Sequence, residues 1–141
     1  MPIDRSQTVW FYTIQIRNFM NLCNSQNGTN ADQLIFSTLV ALDELMQQDA
    51  KNFAEILPNF LTVWLDLGAG KITCDTDSKI NMKIRIKALS CVQNCVNCLE
   101  PKDVILLRKE VVKKLSSGID DHKRLVRKAA ANARNSWCMA N

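Results

Sequence analysis

At 141 residues, with 47% hydrophobic and 23% charged residues, the chain is long enough for one continuous core and has the composition of a soluble globular protein. No stretch reaches the roughly 20 consecutive apolar residues of a membrane helix, and the opening Met1-Pro2-Ile3-Asp4-Arg5 lacks the basic-then-apolar pattern of a secretory signal. The formal charge of +4 is unevenly placed: from Pro101 onward ten Lys/Arg face four Asp/Glu, so a basic end sits on a slightly acidic body.

Six segments carry helical periodicity, and no segment reads as a strand. The first is predicted over about Gln7 to Cys23, where Val9, Trp10, Ile14 and Met20 mark successive turns. Because this amphipathic run starts almost at the first residue, the chain reads as a fragment of a longer solenoid. The polar stretch Asn24 to Asn30 breaks it. A second helix is expected from Asp32, as N-cap, to about Gln48, with Leu34, Ile35, Leu39, Leu42, Leu45 and Met46 in register. The third covers about Ala50 to Leu67 and carries Phe53, Ile56, Leu57, Phe60, Leu61 and Trp64. Gly68, Gly70 and the polar Thr73 to Ser78 predict a loop. The fourth runs from about Lys79 to Leu99, where Glu100-Pro101 stops it. The fifth spans about Lys102 to Ser117 and ends at Gly118. The last opens on an Asp120/Asp121 cap and continues to about Trp137.

These segments pair, and the pairs superpose. Leu34-Ile35 matches Ile84-Arg85 and then Val126-Arg127, at offsets of 50 and 42 residues; Leu57, Leu61 and Leu65 match Leu107, Val111 and Leu115 at 50. Two helices per unit at a period of about 40–50 residues are the signature of HEAT or armadillo repeats, whose units bury their apolar sides only by stacking. The predicted fold is therefore all-α, a HEAT-type α-solenoid of three stacked helical hairpins. One domain, residues 1–141, would hold repeats over about 6–48, 50–99 and 102–138. In such a stack, Ala88, Ala130 and Ala133 permit close helix approach, and Arg85 and Arg127 reach an Asp of a neighbouring unit. The first unit has Ile35 where that Arg should stand, which interrupts any continuous ladder.

Candidate chemistry is sparse. Six cysteines at unpatterned spacing, without a secretory signal, read as reduced thiols of a cytosolic or nuclear protein. Cys91, Cys95 and Cys98 share one helix side, as a metal or cluster site would require. Ligands on one straight helix diverge along its axis, however, and the same positions extend the apolar side through Ala88, so core packing with no metal is expected. Gly68-Ala69-Gly70-Lys71 lacks the leading Gly and the trailing Ser/Thr of a phosphate loop and follows a helix, not a strand. His122, the single histidine, has no nucleophile assigned to it by pattern. No catalytic, cofactor-binding or metal-ligating residue is predicted.

What remains is the basic run Lys123-Arg124-Leu125-Val126-Arg127-Lys128, followed by Arg134. A protein-docking surface formed by Lys123, Arg124, Arg127, Lys128 and Arg134 is expected, with Arg127 given first to an inter-repeat bond. The alternatives are a solvated helix side and a nucleic-acid-binding helical-repeat module. The second would ordinarily add stacking aromatics, and Trp137 is the single aromatic after Trp64.

From about Met82 to Trp137 the chain resembles the C-terminal end of the MMS-nineteen family, the HEAT-repeat adaptor of the cytosolic iron–sulfur assembly targeting complex. The residues that carry the resemblance are Ile84-Arg85-Ile86-Lys87-Ala88-Leu89-Ser90-Cys91 and Asp120-Asp121-His122-Lys123-Arg124-Leu125-Val126-Arg127-Lys128, completed by Ala133-Arg134 and Trp137. Before about residue 80 the likeness is one of repeat length and pattern. The resemblance implies a non-catalytic scaffold in cytoplasm and nucleus, with no cofactor of its own. Its implied partners are a small α/β subunit and a WD40-propeller subunit. The full-length adaptor would also meet iron–sulfur client proteins such as DNA-repair helicases. Membrane and direct nucleic-acid binding are not implied.

Overall fold

The computed structural model describes residues 18, 21, 29–70 and 79–140. The helix expected over Gln7 to Cys23, apart from residues 18 and 21, and the loop expected over Thr73 to Ser78 lie outside the described residues. Within them every regular element is a helix: α1 (Thr29–Gln48), α2 (Ala50–Phe53), α3 (Leu57–Gly68), α4 (Lys79–Cys95), α5 (Pro101–Gly118) and α6 (Arg124–Met139). The all-α expectation holds for these residues. None of these helices is long and apolar enough to cross a membrane.

Several boundaries move, for local reasons. α1 begins at Thr29, so Asp32 is a buried residue of its first turn rather than its cap. The single helix expected over Ala50 to Leu67 is two, α2 and α3, separated by a turn at 54–56. Pro58 at the start of α3 has no N–H to give to the preceding turn, whereas a helix start tolerates it. The same logic starts α5 at Pro101. α4 ends at Cys95, and Asn97 and Cys98 donate i to i−3 backbone bonds in a tighter turn before Pro101.

α4 is the centre of the assembly. It packs against α1 on one flank and α6 on the other, and α3 covers it; α5 covers α6, and α3 and α5 touch lightly. The core is continuous through these contacts. α3 supplies its aromatic part: Phe60 stacks on Phe53 at 5.8 Å between ring centroids and on Trp64 at 5.6 Å, geometries worth about 0.5–1.5 kcal/mol beyond area burial. Trp137 of α6 closes the other end, its indole N–H donating to the Val92 carbonyl of α4 at 2.8 Å.

The burial pattern corrects one register of the internal repeat. Ile84, Ala88, Cys91 and Cys95 of α4 are fully buried, and so are Val126, Ala130, Ala133 and Trp137 of α6, at the expected offset of 42. In α1 the buried set is Ile35, Leu39, Leu42 and Met46, which leads α4 by 49 residues, not 50; Leu34 is 57% exposed. The position equivalent to Arg85 is therefore Phe36, not Ile35.

Candidate docking surface on the last helix

α6 forms because its apolar residues recur on a single stripe. Val126, Ala130, Ala133 and Trp137 lie three or four apart, all inward. The three small or branched residues let α6 approach α4 and α5 closely. At Gly118, the last residue of α5, an added Cβ would come within 2.9 Å of the Ala130 Cβ. The stripe leaves Arg124, Lys128, Asn132 and Asn135 exposed along the opposite side.

The turn that leads into α6 is organised by Asp121. This carboxylate does not cap the helix from the first position, as the sequence suggested: the helix starts at Arg124, and Asp121 accepts the backbone N–H of Lys123 at 2.8 Å. Its other oxygen accepts the guanidinium of Arg85, reaching across from α4. Burial alone would raise the Asp121 carboxyl. The hydrogen bonds from Arg85 and from the Lys123 backbone, with the charges of Arg85 and His122, outweigh it and hold the group below the ordinary carboxylate value.

Arg85 is itself buried, and its Nε donates to the Gly68 carbonyl at 3.1 Å. That carbonyl closes α3 and has no partner inside its own helix. The glycines once considered for a phosphate loop make room here. Gly70 sits at φ +76°, where a Cβ would also be 3.2 Å from Arg85 Nε, and a Cβ on Gly68 would strike Leu89 at 2.7 Å. Arg85 thus reaches an Asp beyond its own helix, as the Arg-Asp pattern predicts.

The five predicted docking residues separate. Arg124 and Lys128, one turn apart, are exposed and point away from the core. Lys123 is half-buried. Arg127 is turned back onto its own loop, where it donates to the carbonyls of Asp121 at 2.8 Å and His122 at 3.1 Å. Among the described residues it pairs with no Asp of another helix pair, contrary to the expectation, because its guanidinium is spent on these two carbonyls. Arg134 is half-buried, and its enclosed Nε has no hydrogen-bond partner among the described residues. His122 remains exposed before the helix.

The thiols of α4 lie against α1. Cys91 and Cys95 are fully buried and Cys98 half-buried; Cys91 and Cys98 face the carbonyls of Leu39 and Met46 at 3.8 and 3.7 Å. Cys95 turns to Val92 of its own helix at 3.1 Å. Desolvation pushes the Cys91 thiol far above its ordinary value, and the nearby Asp43 charge adds to the shift. These are the properties of small apolar side chains. Among the described residues no group of three His, Cys, Asp or Glu is arranged to hold a metal ion.

One surface escaped the sequence reading: the outward side of α5, with Ile105 and Leu106 well exposed. Its signal was present in the uninterrupted run Val104-Ile105-Leu106-Leu107, wider than one helix side can bury.

Comparison with known proteins adds the following. No family model matches the chain. The MMS19 nucleotide excision repair protein homolog of Mus musculus is 31% identical over 102 residues, which is 72% of this chain and 9% of the relative. Its Homo sapiens counterpart is 32% identical over the same share of each. The Danio rerio protein of that name is 43% identical over 56 residues, 40% of this chain and 5% of the relative. The chain therefore spans about a tenth of the length of the first two and less of the third.

Proposed function

We propose, because the chain belongs to the MMS19 family, that it is a HEAT-type solenoid segment acting as a non-catalytic adaptor of the cytosolic iron–sulfur assembly targeting complex. The name its relatives share ties them to nucleotide excision repair, and DNA repair is the setting in which this chain acts. Iron–sulfur clusters are the cargo of the complex, delivered to apoproteins of repair, replication and transcription in cytoplasm and nucleus. Residues 1–141 form one unit of three repeats, about 6–48, 50–99 and 102–138. Its binding partners are the small α/β subunit and the WD40-propeller subunit; client helicases are met through the full-length adaptor.

The observation that carries the reading is the likeness over 72% of the chain. The structure supports it with a helix whose apolar stripe faces inward and whose outward side presents Arg124 and Lys128, which enter no ion pair among the described residues. Lys123 and Arg134 flank this pair, while Arg127 maintains the turn. Exposed charges of this kind steer and orient a partner more than they add affinity, so binding should weaken as salt rises.

The test is a pull-down of the propeller and small subunit by the 141-residue chain. Arg124→Glu with Lys128→Glu should reduce capture roughly tenfold, about 1.4 kcal/mol, at an unchanged melting temperature. Full capture by this variant moves the docking surface elsewhere. Failure of the unaltered chain to capture either subunit ends the adaptor reading for this segment. Steeply salt-dependent retention on duplex DNA would favour the nucleic-acid alternative.

A further inference from the structure

α5 has a second outward surface that the docking role of α6 does not use. Its inward side is filled by Val104, Val111 and Leu115. The aliphatic run continues past that side, leaving Ile105 64% and Leu106 77% exposed as immediate neighbours. Lys102, Lys109 and Lys113 fall on the same outward side, one turn before the two aliphatics and one and two turns after them. Lys102 is held loosely by Glu100 at 3.4 Å, and Glu110, at the margin of this side, is paired with Lys114 at 3.4 Å. Lys109 and Lys113 enter no ion pair among the described residues.

We propose that this side of α5 docks an acidic amphipathic segment of another protein. Its apolar side chains would cover Ile105 and Leu106, and its carboxylates would meet Lys102, Lys109 and Lys113. The charge selects this occupant over others. The same surface of a second copy, in a two-fold pair, would set lysine against lysine, and a neutral apolar segment would leave the ammonium groups near a drying contact without counter-charge. A helix with apolar residues three or four apart and acids between them satisfies both requirements. Because α5 covers α6, the outward side of α5 and the Arg124/Lys128 side of α6 point in different directions, and the two surfaces can be altered independently.

The experiment uses fluorescence anisotropy with the 141-residue chain and a labelled peptide of about four helical turns. The peptide carries Leu at i, i+3 and i+4 positions and Glu on the flanks. A scrambled peptide of the same composition and phosphatidylserine vesicles serve as competing probes. The ordered peptide should bind at least about tenfold more tightly than the scrambled one. Ile105→Ala with Leu106→Ala, and separately Lys109→Glu with Lys113→Glu, should each abolish that preference at an unchanged melting temperature. Arg124→Glu with Lys128→Glu should leave it intact, which separates this surface from the adaptor surface on α6. Equal binding of the scrambled peptide, absence of peptide binding, retention on the vesicles alone, or loss in the α6 variant alone would each overturn the proposal.

Discussion

Asp43 and Asp121 each receive a cation from α4, yet the two junctions are built differently. Asp43 sits within the body of α1 and collects Lys87 at 2.8 Å and Asn94 at 3.0 Å, and Lys87 keeps 25% of its side chain in water. Asp121 stands in the turn ahead of α6, and its partner Arg85 is almost wholly enclosed while also holding the end of α3. The first junction joins two helices and has an outlet to solvent. The second joins three elements and encloses its cation, while Asp121 keeps 13% of its side chain in water. What a broken pair costs depends on whether the surviving partner can return to water, not on how many bonds it had made.

That comparison is broken most directly at Arg85. Arg85→Ala takes the side-chain donor from the Gly68 carbonyl, leaves Asp121 with the Lys123 backbone N–H, and empties the enclosed space beside Gly70. A loss of about 2–4 kcal/mol is expected, most of it from the carbonyl and the emptied space, because Asp121 can turn to water. Asp43→Ala frees Lys87 towards solvent and should cost about 1–3 kcal/mol. Urea titration of the two variants measures both. An Asp43→Ala loss equal to or greater than that of Arg85→Ala would remove the distinction between the junctions.

Acid titration sharpens it next. The folded Asp121 carboxyl is held below its ordinary 3.8, so its contribution is complete above that unfolded-state value. The contribution is lost as pH falls through the depressed folded value. The unaltered chain should therefore lose more stability on passing below about pH 4 than Asp121→Asn does, since the variant has no proton to take up there. Parallel stability curves for the two, followed by circular dichroism, would show that Arg85 does not depend on a charged partner.

The thiols that lie beside α1 give the last measure of that junction. Cys91→Ser places a hydroxyl where the sulfur lies 3.8 Å from the Leu39 carbonyl, and should cost about 1–3 kcal/mol. Cys98→Ser, half in water, should cost less. In the native protein iodoacetamide should label Cys138, which is exposed, well before Cys91 or Cys95, and peptide mass mapping reads the order. Early labelling of Cys91 would mean that α1 opens readily from α4.

The elements were largely legible in the sequence because helical periodicity and the alanine stripe are local signals. Ala88, Ala130, Ala133 and Trp137 could be assigned inward from spacing alone. Three features were not legible, each for a separate reason. Adjacent aliphatic pairs such as Leu34-Ile35 straddle the edge of a helix stripe, so spacing cannot say which member enters the core, and the repeat register shifted by one. Pro58 divides a continuous apolar pattern without altering its period. The destination of Arg127 depended on the path of the turn at 121–122, which aims two carbonyls at its guanidinium. The exposure of Arg124 and Lys128 follows from the stripe. Lys123, Arg127 and Arg134 depended on turn geometry and packing that no periodicity encodes.

The placement of α4 has a kinetic consequence. It is flanked by α1 and α6 and covered by α3, and its polar links to these neighbours join residues 17 to 52 positions apart. The amides in the middle of α4 are bonded within the helix and lie between these neighbours, so the fraying of one neighbouring end does not free them. Deuterium should therefore enter α5, which has one substantial neighbour, through partial openings, and enter the middle of α4 only when the whole assembly comes apart. The helix that makes most of the joints is in this sense the clock of the molecule: its slowest amide reports the lifetime of the complete fold.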